Sequence, residues 1–165
     1  MEIYILRHGI AEVAKPGAPD PERALTPEGK KKLREVLRVA KAAKVGPSLI
    51  LTSPFRRAVE TAEMAAEVLG YEQELVRTNA LTPGSTPQEV WDEIRTHRDS
   101  DELLLAGHEP LLGHVMGYLL GTPTLLVDFK KGAICRIDME EFGAQPRGVL
   151  RWFLVPKLAV NHAKQ

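Results

Sequence analysis

Short apolar runs alternate with stretches of helical periodicity along this chain. Three runs predict strands, the last of them covered on both faces: Ile3–Leu6, Leu49–Thr52 and Leu103–Ala106. Apolar residues three or four positions apart predict a helix after each strand: Pro27 to a stop at Gly46-Pro47, Arg56–Leu69, and a segment after Pro110. Strands that alternate with helices favour a mostly parallel sheet.

Capping and turn residues mark the ends of these elements. Thr26 before Pro27, and Ser53 before Pro54, have the pattern of an N-cap followed by a proline in the first turn. The proline-rich segment 14–23 cannot form regular structure and predicts a surface loop near the end of the first strand.

The remaining segments complete the predicted fold. They are a short strand at Glu74–Arg77, a helix at Thr86–Arg98, and a hairpin of strands at Ala133–Asp138 and Val149–Val155. The sequence therefore predicts an α/β fold, a three-layer α/β/α sandwich whose mostly parallel central sheet has an antiparallel edge hairpin. A chain of 165 residues is expected to form a single domain over 1–165.

Charge and cysteine content exclude several classes of protein. Lysine plus arginine (22) balance aspartate plus glutamate (22), so no global positive field favours nucleic acid or an anionic membrane. No stretch reaches the ~18 apolar residues of a membrane span, and the first residues lack a signal-peptide pattern, which predicts a cytoplasmic protein. The single cysteine, Cys135, excludes an intrachain disulfide and is expected to pack in the core.

The candidate chemistry lies where the predicted strands end. Arg7, His8 and Gly9 follow the first strand, His108 follows the third, and Arg57 lies in the first turn of the helix after the second. A neutral histidine nitrogen can attack phosphorus, and arginine offers forked donors that match phosphoryl oxygens. Because ligands of open α/β sheets bind beyond the carboxyl ends of the strands, these residues are expected to share one site.

Two adjacent arginines, Arg56 and Arg57, begin the second predicted helix. Cations at a helix N-terminus are unfavourable by about 0.3–1 kcal/mol each, so an anion among them would explain their position. Helical neighbours point about 100° apart, and only one of the two is expected to reach the ligand.

Other chemistries find no support. The spacing from His108 to His114 is HExxxxH, which does not place two zinc ligands one helical turn apart. A cysteine phosphatase would need an arginine six residues after Cys135, where Glu141 stands. No glycine-rich nucleotide motif is present, so neither a metal nor another cofactor is expected. The other histidines are expected to be structural or exposed: His97, His114 and His162.

Four motifs follow one another along the chain: Arg7-His8-Gly9, Leu25-Thr26-Pro27-Glu28-Gly29, Ser53-Pro54-Phe55-Arg56-Arg57-Ala58 with Thr61-Ala62, and Gly107-His108-Glu109-Pro110. In this order they resemble the histidine phosphatase superfamily. The short chain and the SPFxRA form resemble its SixA-type phosphohistidine phosphatase branch. The resemblance spans residues 7–110 and implies a phosphoglycerate mutase-like fold.

The resemblance implies a role for four residues. His8 matches the nucleophile that is transiently phosphorylated, and Arg7 matches the arginine that holds the phosphoryl group beside it. Arg57 matches the second phosphate clamp, which makes Arg56 a variable neighbour. His108 matches the second histidine of the pocket, which is expected to be cationic when it donates to a phosphate oxygen.

The general acid is the least defined part of the predicted site. Larger members of the superfamily carry it on an insertion that this chain lacks between Arg57 and His108. Glu109 stands where acid phosphatases of the superfamily carry their acid and is the best candidate, although a carboxylate there is also an ordinary helix cap. Glu12 and Glu89 are weaker candidates.

A site without a dedicated acid suits a substrate with a good leaving group. An alkoxide needs a proton, whereas an imidazole with a pKa of about 6.5 leaves more easily. Together with the resemblance, which carries most of the substrate assignment, this difference in leaving groups predicts a metal-independent phosphatase that releases inorganic phosphate from phosphohistidine on a protein, acting as a monomer with no nucleic acid or membrane partner. Two alternatives stay open: a small-molecule phosphatase or mutase of the same superfamily, and a noncatalytic phosphate-binding module.

Overall fold

Six strands form one sheet within residues 1–160, the part of the chain that the computed structural model describes. The strands are β1 (Glu2–Arg7), β2 (Leu49–Thr52), β3 (Val76–Arg77), β4 (Glu102–Gly107), β5 (Ile134–Asp138) and β6 (Val149–Leu154). The helices are α1 (Pro27–Ala42), α2 (Arg56–Leu69), α3 (Pro87–Thr96), α4 (Leu111–Leu119) and α5 (Pro156–Val160). Short 3₁₀ turns lie at Asp20–Glu22 and Asn79–Leu81. His162 lies outside the described residues.

The strand order in the sheet is β3-β2-β4-β1-β5-β6. β4 pairs in parallel with both β1 and β2, and β2 pairs in parallel with β3. β5 runs antiparallel to β1, and β6 runs antiparallel to β5. The predicted parallel sheet with an antiparallel edge hairpin is therefore confirmed.

Alternate residues of β1 pack into two separate apolar clusters. Ile3 and Ile5 join a cluster with side chains of α3 and α4, while Tyr4 and Leu6 join one with side chains of α1 and α2. Each of these four residues is at most 1% exposed. Since helices cover both faces of the sheet, the fold is the three-layer sandwich that the sequence predicts.

Most element boundaries agree with the sequence patterns to within a few residues. α1 ends at Ala42, before the predicted stop, and Lys44 then adopts a left-handed conformation with φ of 67°. α3 ends at Thr96, two residues earlier than predicted. The sequence does not predict α5, because a helix of five residues is too short to show periodicity.

The two predicted N-caps have different outcomes. Thr26 caps α1, since its Oγ1 accepts the Gly29 N–H at 2.9 Å. The prediction for Ser53 is wrong: α2 begins at Arg56, its N-cap residue is Phe55, and no side chain caps it. The Ser53 hydroxyl instead lies 2.8 Å from a histidine of the third strand-to-helix connection.

The composition predicts that Cys135 packs in the core and that the chain has no membrane-spanning segment. Cys135 is fully buried in β5, and burial raises the pKa of its thiol to about 12, as expected for a packing residue. Over residues 1–160, the structure contains no helix with the length and apolar character needed to cross a membrane.

The start of α1 lies directly against the loop that follows β1. The Thr26 N–H donates to the carbonyl oxygen of Ile10 at 2.9 Å. A β-carbon on Gly29 would lie 2.3 Å from the same oxygen, far inside van der Waals contact. Only glycine allows this approach, so the segment 25–29 holds in place the backbone that carries His8.

We expect Gly29→Ala to lower the free energy of unfolding by roughly 1–3 kcal/mol, because α1 or the Ile10 backbone must move to admit the methyl group. Urea unfolding followed by circular dichroism measures the change. Gly46→Ala is the matched control, since a β-carbon there meets nothing within 4 Å, and it should change the free energy by less than about 0.5 kcal/mol. Equal losses in the two variants would contradict the close-approach explanation.

Candidate active site

The carboxyl ends of β1, β2 and β4 meet at one edge of the sheet. The His8 N–H donates to the Gly107 carbonyl oxygen, and the Ser53 N–H donates to the Ala106 carbonyl oxygen, both at 3.0 Å. A cavity of about 210 Å³ opens there, which we call the strand-end cavity. It is lined by Arg7, His8, Ala11, Asp20, Arg23, Arg57, Pro83, His108, Glu109 and Lys131. The five candidate residues named from the sequence therefore line one cavity.

His8 is held in the tautomer that leaves Nε2 free. Its side chain is 6% exposed, and Nδ1 lies 2.7 Å from the carbonyl oxygen of Gly9. A carbonyl oxygen only accepts, so Nδ1 carries the proton and Nε2 keeps its lone pair. Burial, together with the charges of Arg57, Arg7 and Lys131, lowers the pKa of His8 to about 4. Nε2 of His8 is thus unprotonated at neutral pH.

His108 lies beside His8, with 5.1 Å between the ring centroids. Its Nε2 is 2.8 Å from Oγ of Ser53, which also accepts the Phe55 N–H at 3.2 Å. The Phe55 N–H occupies one acceptor position of the hydroxyl. We assign the hydroxyl proton to the bond with Nε2, which places the ring proton of His108 on Nδ1.

The charge of His108 follows from the groups that surround its ring in the cavity. Burial, the neighbouring His8, and the charge of Arg57 lower the pKa of His108 to about 3. The surroundings that the protein itself supplies therefore keep this ring neutral, and a cationic form would need the negative charge of a ligand. A neutral ring with its proton on Nδ1 can still donate to a phosphate oxygen.

Protein acceptors hold both arginines through their terminal nitrogens. Arg7 Nη1 donates to the Phe129 carbonyl oxygen at 2.7 Å. Arg57 is 5% exposed and donates from Nη1 to the carbonyl oxygen and from Nη2 to the carboxylate of Asp20, at 3.1 and 3.2 Å. Arg56 points outward and pairs with Glu60 at 3.1 Å. As the helical geometry predicts, only one of the adjacent arginines faces the cavity.

Three buried side-chain nitrogens in residues 1–160 have no hydrogen-bond partner: Arg7 Nε, Arg57 Nε and His108 Nδ1. Buried donors are nearly always satisfied, so such a group needs an explanation. All three belong to residues that line the strand-end cavity, although they come from different segments of the chain. A small anion with several oxygen acceptors would place acceptors beside the residues that carry these nitrogens.

Thr61 links the backbone next to His8 to the helix that carries Arg57. Its Oγ1 accepts the Gly9 N–H at 3.1 Å and donates to the Arg57 carbonyl oxygen at 2.7 Å. Thr61 is fully buried, so this connection is shielded from water. It fixes the separation of the first histidine and the second arginine.

Asp20 is a site residue that the sequence analysis does not identify. It belongs to the 3₁₀ turn in the predicted surface loop, and its carboxylate also accepts from Arg23 Nε at 2.8 Å. Hydrogen bonds and charge from Arg23 and Arg57 outweigh the effect of burial and lower the pKa of Asp20, so it is ionised at neutral pH. The opposite charges of Asp20 and Arg23, three residues apart in a loop beside the site, are the signal that the sequence offered.

The three acid candidates differ in position. Glu109 lines the cavity, and burial raises the pKa of its carboxyl, but the carboxylate also accepts the Gly113 N–H at the start of α4. Glu89 accepts from the Thr86 N–H within a capping box, which is a structural role. Glu12 is exposed and does not line the strand-end cavity. Of the three glutamates, Glu109 is thus the one whose position is compatible with the role of a general acid.

Metal ligands do not gather anywhere in the described part of the chain: residues 1–160 contain no cluster of three or more His, Cys, Asp or Glu side chains arranged to hold an ion. His114 is exposed on α4, and Nε2 of His97 lies 3.2 Å from the Glu93 carboxylate on the same helix face.

The sequence and the structure of this chain are similar to those of the same group of known proteins. Residues 3–82 match the family model described as the histidine phosphatase superfamily, branch 1. The chain is 29% identical over 160 residues to the phosphohistidine phosphatase SixA of Escherichia coli K12, covering 94% of each protein. It superimposes on a structure of the protein histidine phosphatase SixA complexed with tungstate with a TM-score of 0.85 and 28% identity, covering 96% of this chain and 99% of that one. An α-ribazole phosphatase of Shigella flexneri has the same fold, with a TM-score of 0.73, 16% identity, and 94% and 97% coverage.

We expect His8 and His108 to stay neutral, with the proton on Nδ1, throughout the pH range in which an exposed histidine titrates. Their pKa values of about 4 and about 3 lie below the ordinary value, so the unfolded chain binds protons first. These residues therefore lower the stability as pH falls from ~6.5 toward their folded pKa values, and the loss is absent above ~6.5. Nitrogen-15 NMR of the imidazole rings reports protonation and tautomer together.

Ser53→Ala is the comparison variant for the tautomer. The His108 ring should then populate both neutral tautomers, while the His8 signals keep the pattern of Nδ1 protonation. A His108 ring that titrates near the ordinary pKa of ~6.5 would contradict the neutral assignment. An unchanged tautomer in Ser53→Ala would contradict the part assigned to the serine.

Proposed function

The chain belongs to the SixA-type branch of the histidine phosphatase superfamily and is a phosphatase; from this premise we propose that it hydrolyses phosphohistidine on proteins, without a metal, through a phosphohistidine intermediate on His8. One observation carries the proposal: the free Nε2 of His8 and the three unpartnered nitrogens belong to residues lining one cavity. A nucleophile with converging donors is what phosphoryl transfer requires. The tungstate in the similar SixA structure is a tetrahedral oxyanion, which supports a phosphoryl group as the ligand.

In the first step, Nε2 of His8 attacks phosphorus in line with the leaving nitrogen of the substrate. The substrate ring carries a proton on its other nitrogen, so as the P–N bond to His8 forms and the P–N bond of the substrate breaks, the departing ring keeps the electron pair and leaves as neutral imidazole. Arg7, Arg57 and His108 donate to the equatorial oxygens, where charge spreads in the transition state. Losing one such donor typically costs about 10²–10³ in rate.

In the second step, water attacks the phosphoryl group on His8. The oxygen of water bonds to phosphorus as the bond to Nε2 breaks, a proton of water passes to solvent, and inorganic phosphate leaves. The low pKa of His8 makes its imidazole a good leaving group, because the neutral ring is the stable product. The same property that makes the nucleophile available therefore also favours its release.

The size of the strand-end cavity supports phosphohistidine as the substrate. The volume of about 210 Å³ is smaller than the range of about 300–1,000 Å³ of most small-molecule pockets. It suits a phosphoryl group that enters from another protein better than a whole sugar phosphate. A monomeric state, a single domain over 1–165 and a cytoplasmic location remain predictions.

A small phosphate ester is the second candidate substrate, and Glu109 is the observation that favours it. Its raised pKa increases the protonated fraction of a carboxyl that lines the cavity, and a protonated carboxyl can donate to an alkoxide. A noncatalytic binding module is less consistent with the site, because phosphate binding alone would not require an unprotonated Nε2 on His8.

The central test measures phosphate release from a phosphohistidine protein and from p-nitrophenyl phosphate, in the presence of a chelator. Wild type should act on both and prefer the phosphohistidine protein, and His8→Ala should lose at least about 10³-fold in kcat on each. Phosphate should still bind to His8→Ala, since the arginines remain. Full activity of His8→Ala would overturn the covalent mechanism, and a preference for small esters would favour the second candidate.

Glu109→Gln is expected to reduce turnover of an alkyl phosphate by about 10²-fold or more, the usual effect of losing a general acid. Phosphohistidine turnover should fall much less, because its imidazole leaves without a strong acid. Glu12→Gln is the matched control, as Glu12 does not line the strand-end cavity. Equal losses on the two substrates in Glu109→Gln would remove the proton-donor role and leave Glu109 as a helix cap.

A further inference from the structure

A second and larger depression lies beside the strand-end cavity. It has a volume of about 790 Å³ and lies between the start of α1, the segment before β5, and the start of α5. Arg7 and Lys131 line both this depression and the strand-end cavity, so the two are adjacent. We call it the lysine groove, because Lys32, Lys130, Lys131 and Lys157 line it.

The lysine groove is far more positive than the protein as a whole. The full chain has no net charge, whereas five cations and one carboxylate, Asp128, line the groove. Asp128 pairs with Lys130 at 3.0 Å, and Lys32 pairs with Glu28 of its own helix at 3.0 Å. Lys32 and Lys130 keep side-chain exposures of 45% and 63%, so their charged ends reach solvent. The local excess of positive charge therefore faces outward beside the entrance to the site.

Apolar side chains also line the groove. Ile10, Val155 and Pro156 line it, and none of them is fully buried. Among the lining residues there is no aromatic side chain on which a nucleotide base could stack. An apolar lining with exposed cations matches a protein surface that presents carboxylates beside an apolar side chain.

We propose that the lysine groove docks an acidic surface of the protein that carries the phosphohistidine, next to the modified residue. The inference rests on the proposed function. Carboxylates of the partner would pair with Lys32 and Lys157, an apolar side chain would cover Ile10 and Pro156, and the phosphoryl group would enter past Arg7. The groove thus selects among phosphohistidine proteins by the charge around the phosphorylated residue.

Binding of two synthetic peptides tests the proposal separately from turnover. Both carry a non-hydrolysable phosphonate analogue of phosphohistidine and a nearby leucine; one has glutamates around them, and the other has glutamines. Fluorescence anisotropy at low salt should show about tenfold tighter binding of the glutamate peptide to wild type, as expected for several exposed ion pairs acting together. The difference should shrink as salt is added.

Lys32→Glu/Lys157→Glu is the groove variant, since neither residue lines the strand-end cavity. It should lose the preference for the glutamate peptide and retain turnover of p-nitrophenyl phosphate, which also shows that it is folded. Lys41→Glu/Arg98→Glu makes the same change of charge at exposed positions outside the groove and should keep the preference.

An unchanged preference in the groove variant, or equal binding of the two peptides to wild type, would overturn the docking proposal. So would an oligonucleotide of equal charge that binds the wild type as tightly as the glutamate peptide does. If the groove-dependent preference is found but the hydrolysable phosphohistidine peptides are not turned over, the docking surface stands and the proposed substrate fails.

Discussion

The burial of two guanidinium groups beside two imidazoles, at one edge of the sheet, is the constraint on which the site depends. Desolvation of an ion costs several kcal/mol even after relaxation, and Arg7 and Arg57 are compensated by only the Phe129 carbonyl and Asp20 among their described hydrogen-bond acceptors. Burial, together with the remaining positive charge, lowers the pKa of both histidines and keeps Nε2 of His8 unprotonated at neutral pH. An oxyanion that enters the cavity offsets this desolvation cost, because it supplies negative charge and hydrogen-bond acceptors that the protein does not provide.

The surrounding fold holds the two arginines and the two histidines in position through a limited number of internal hydrogen bonds. Acceptors hold the terminal nitrogens of each arginine, Ser53 holds Nε2 of His108, and the Gly9 carbonyl holds Nδ1 of His8. Thr61 ties the His8 backbone to α2, and Gly29 lets α1 pack against the same loop. In each of these side chains, some polar atoms bond to the protein and fix the conformation, while other polar atoms stay available for a ligand. A site whose groups are already in position needs little reorganisation during the reaction.

Sequence patterns predict the fold, and the common location of four candidate residues at the strand ends, because both follow from local signals. Strand ends are marked by apolar runs that stop, and Arg7, His8, Arg57 and His108 stand within a few residues of those stops. What the patterns miss depends on contacts between distant segments. Asp20 reaches Arg57 from a proline-rich loop, and the Ser53 hydroxyl bonds to His108 rather than capping α2. α5 is too short to be periodic, and the charge of His108 depends on burial that no local pattern records.

The electrostatics of the cavity also bear on which phosphate compound it can cleave. His8 and His108 are neutral at neutral pH, and Asp20 is ionised because Arg23 and Arg57 lower its pKa. Glu109 is the remaining carboxyl, and although burial raises its pKa, the Gly113 N–H and the charge of Arg7 both favour the ionised form. A site that binds the phosphoryl group firmly but supplies protons poorly discriminates by leaving group. This supports the proposal of phosphohistidine as the substrate, because an alkoxide needs a proton to leave, whereas an imidazole leaves without a strong acid.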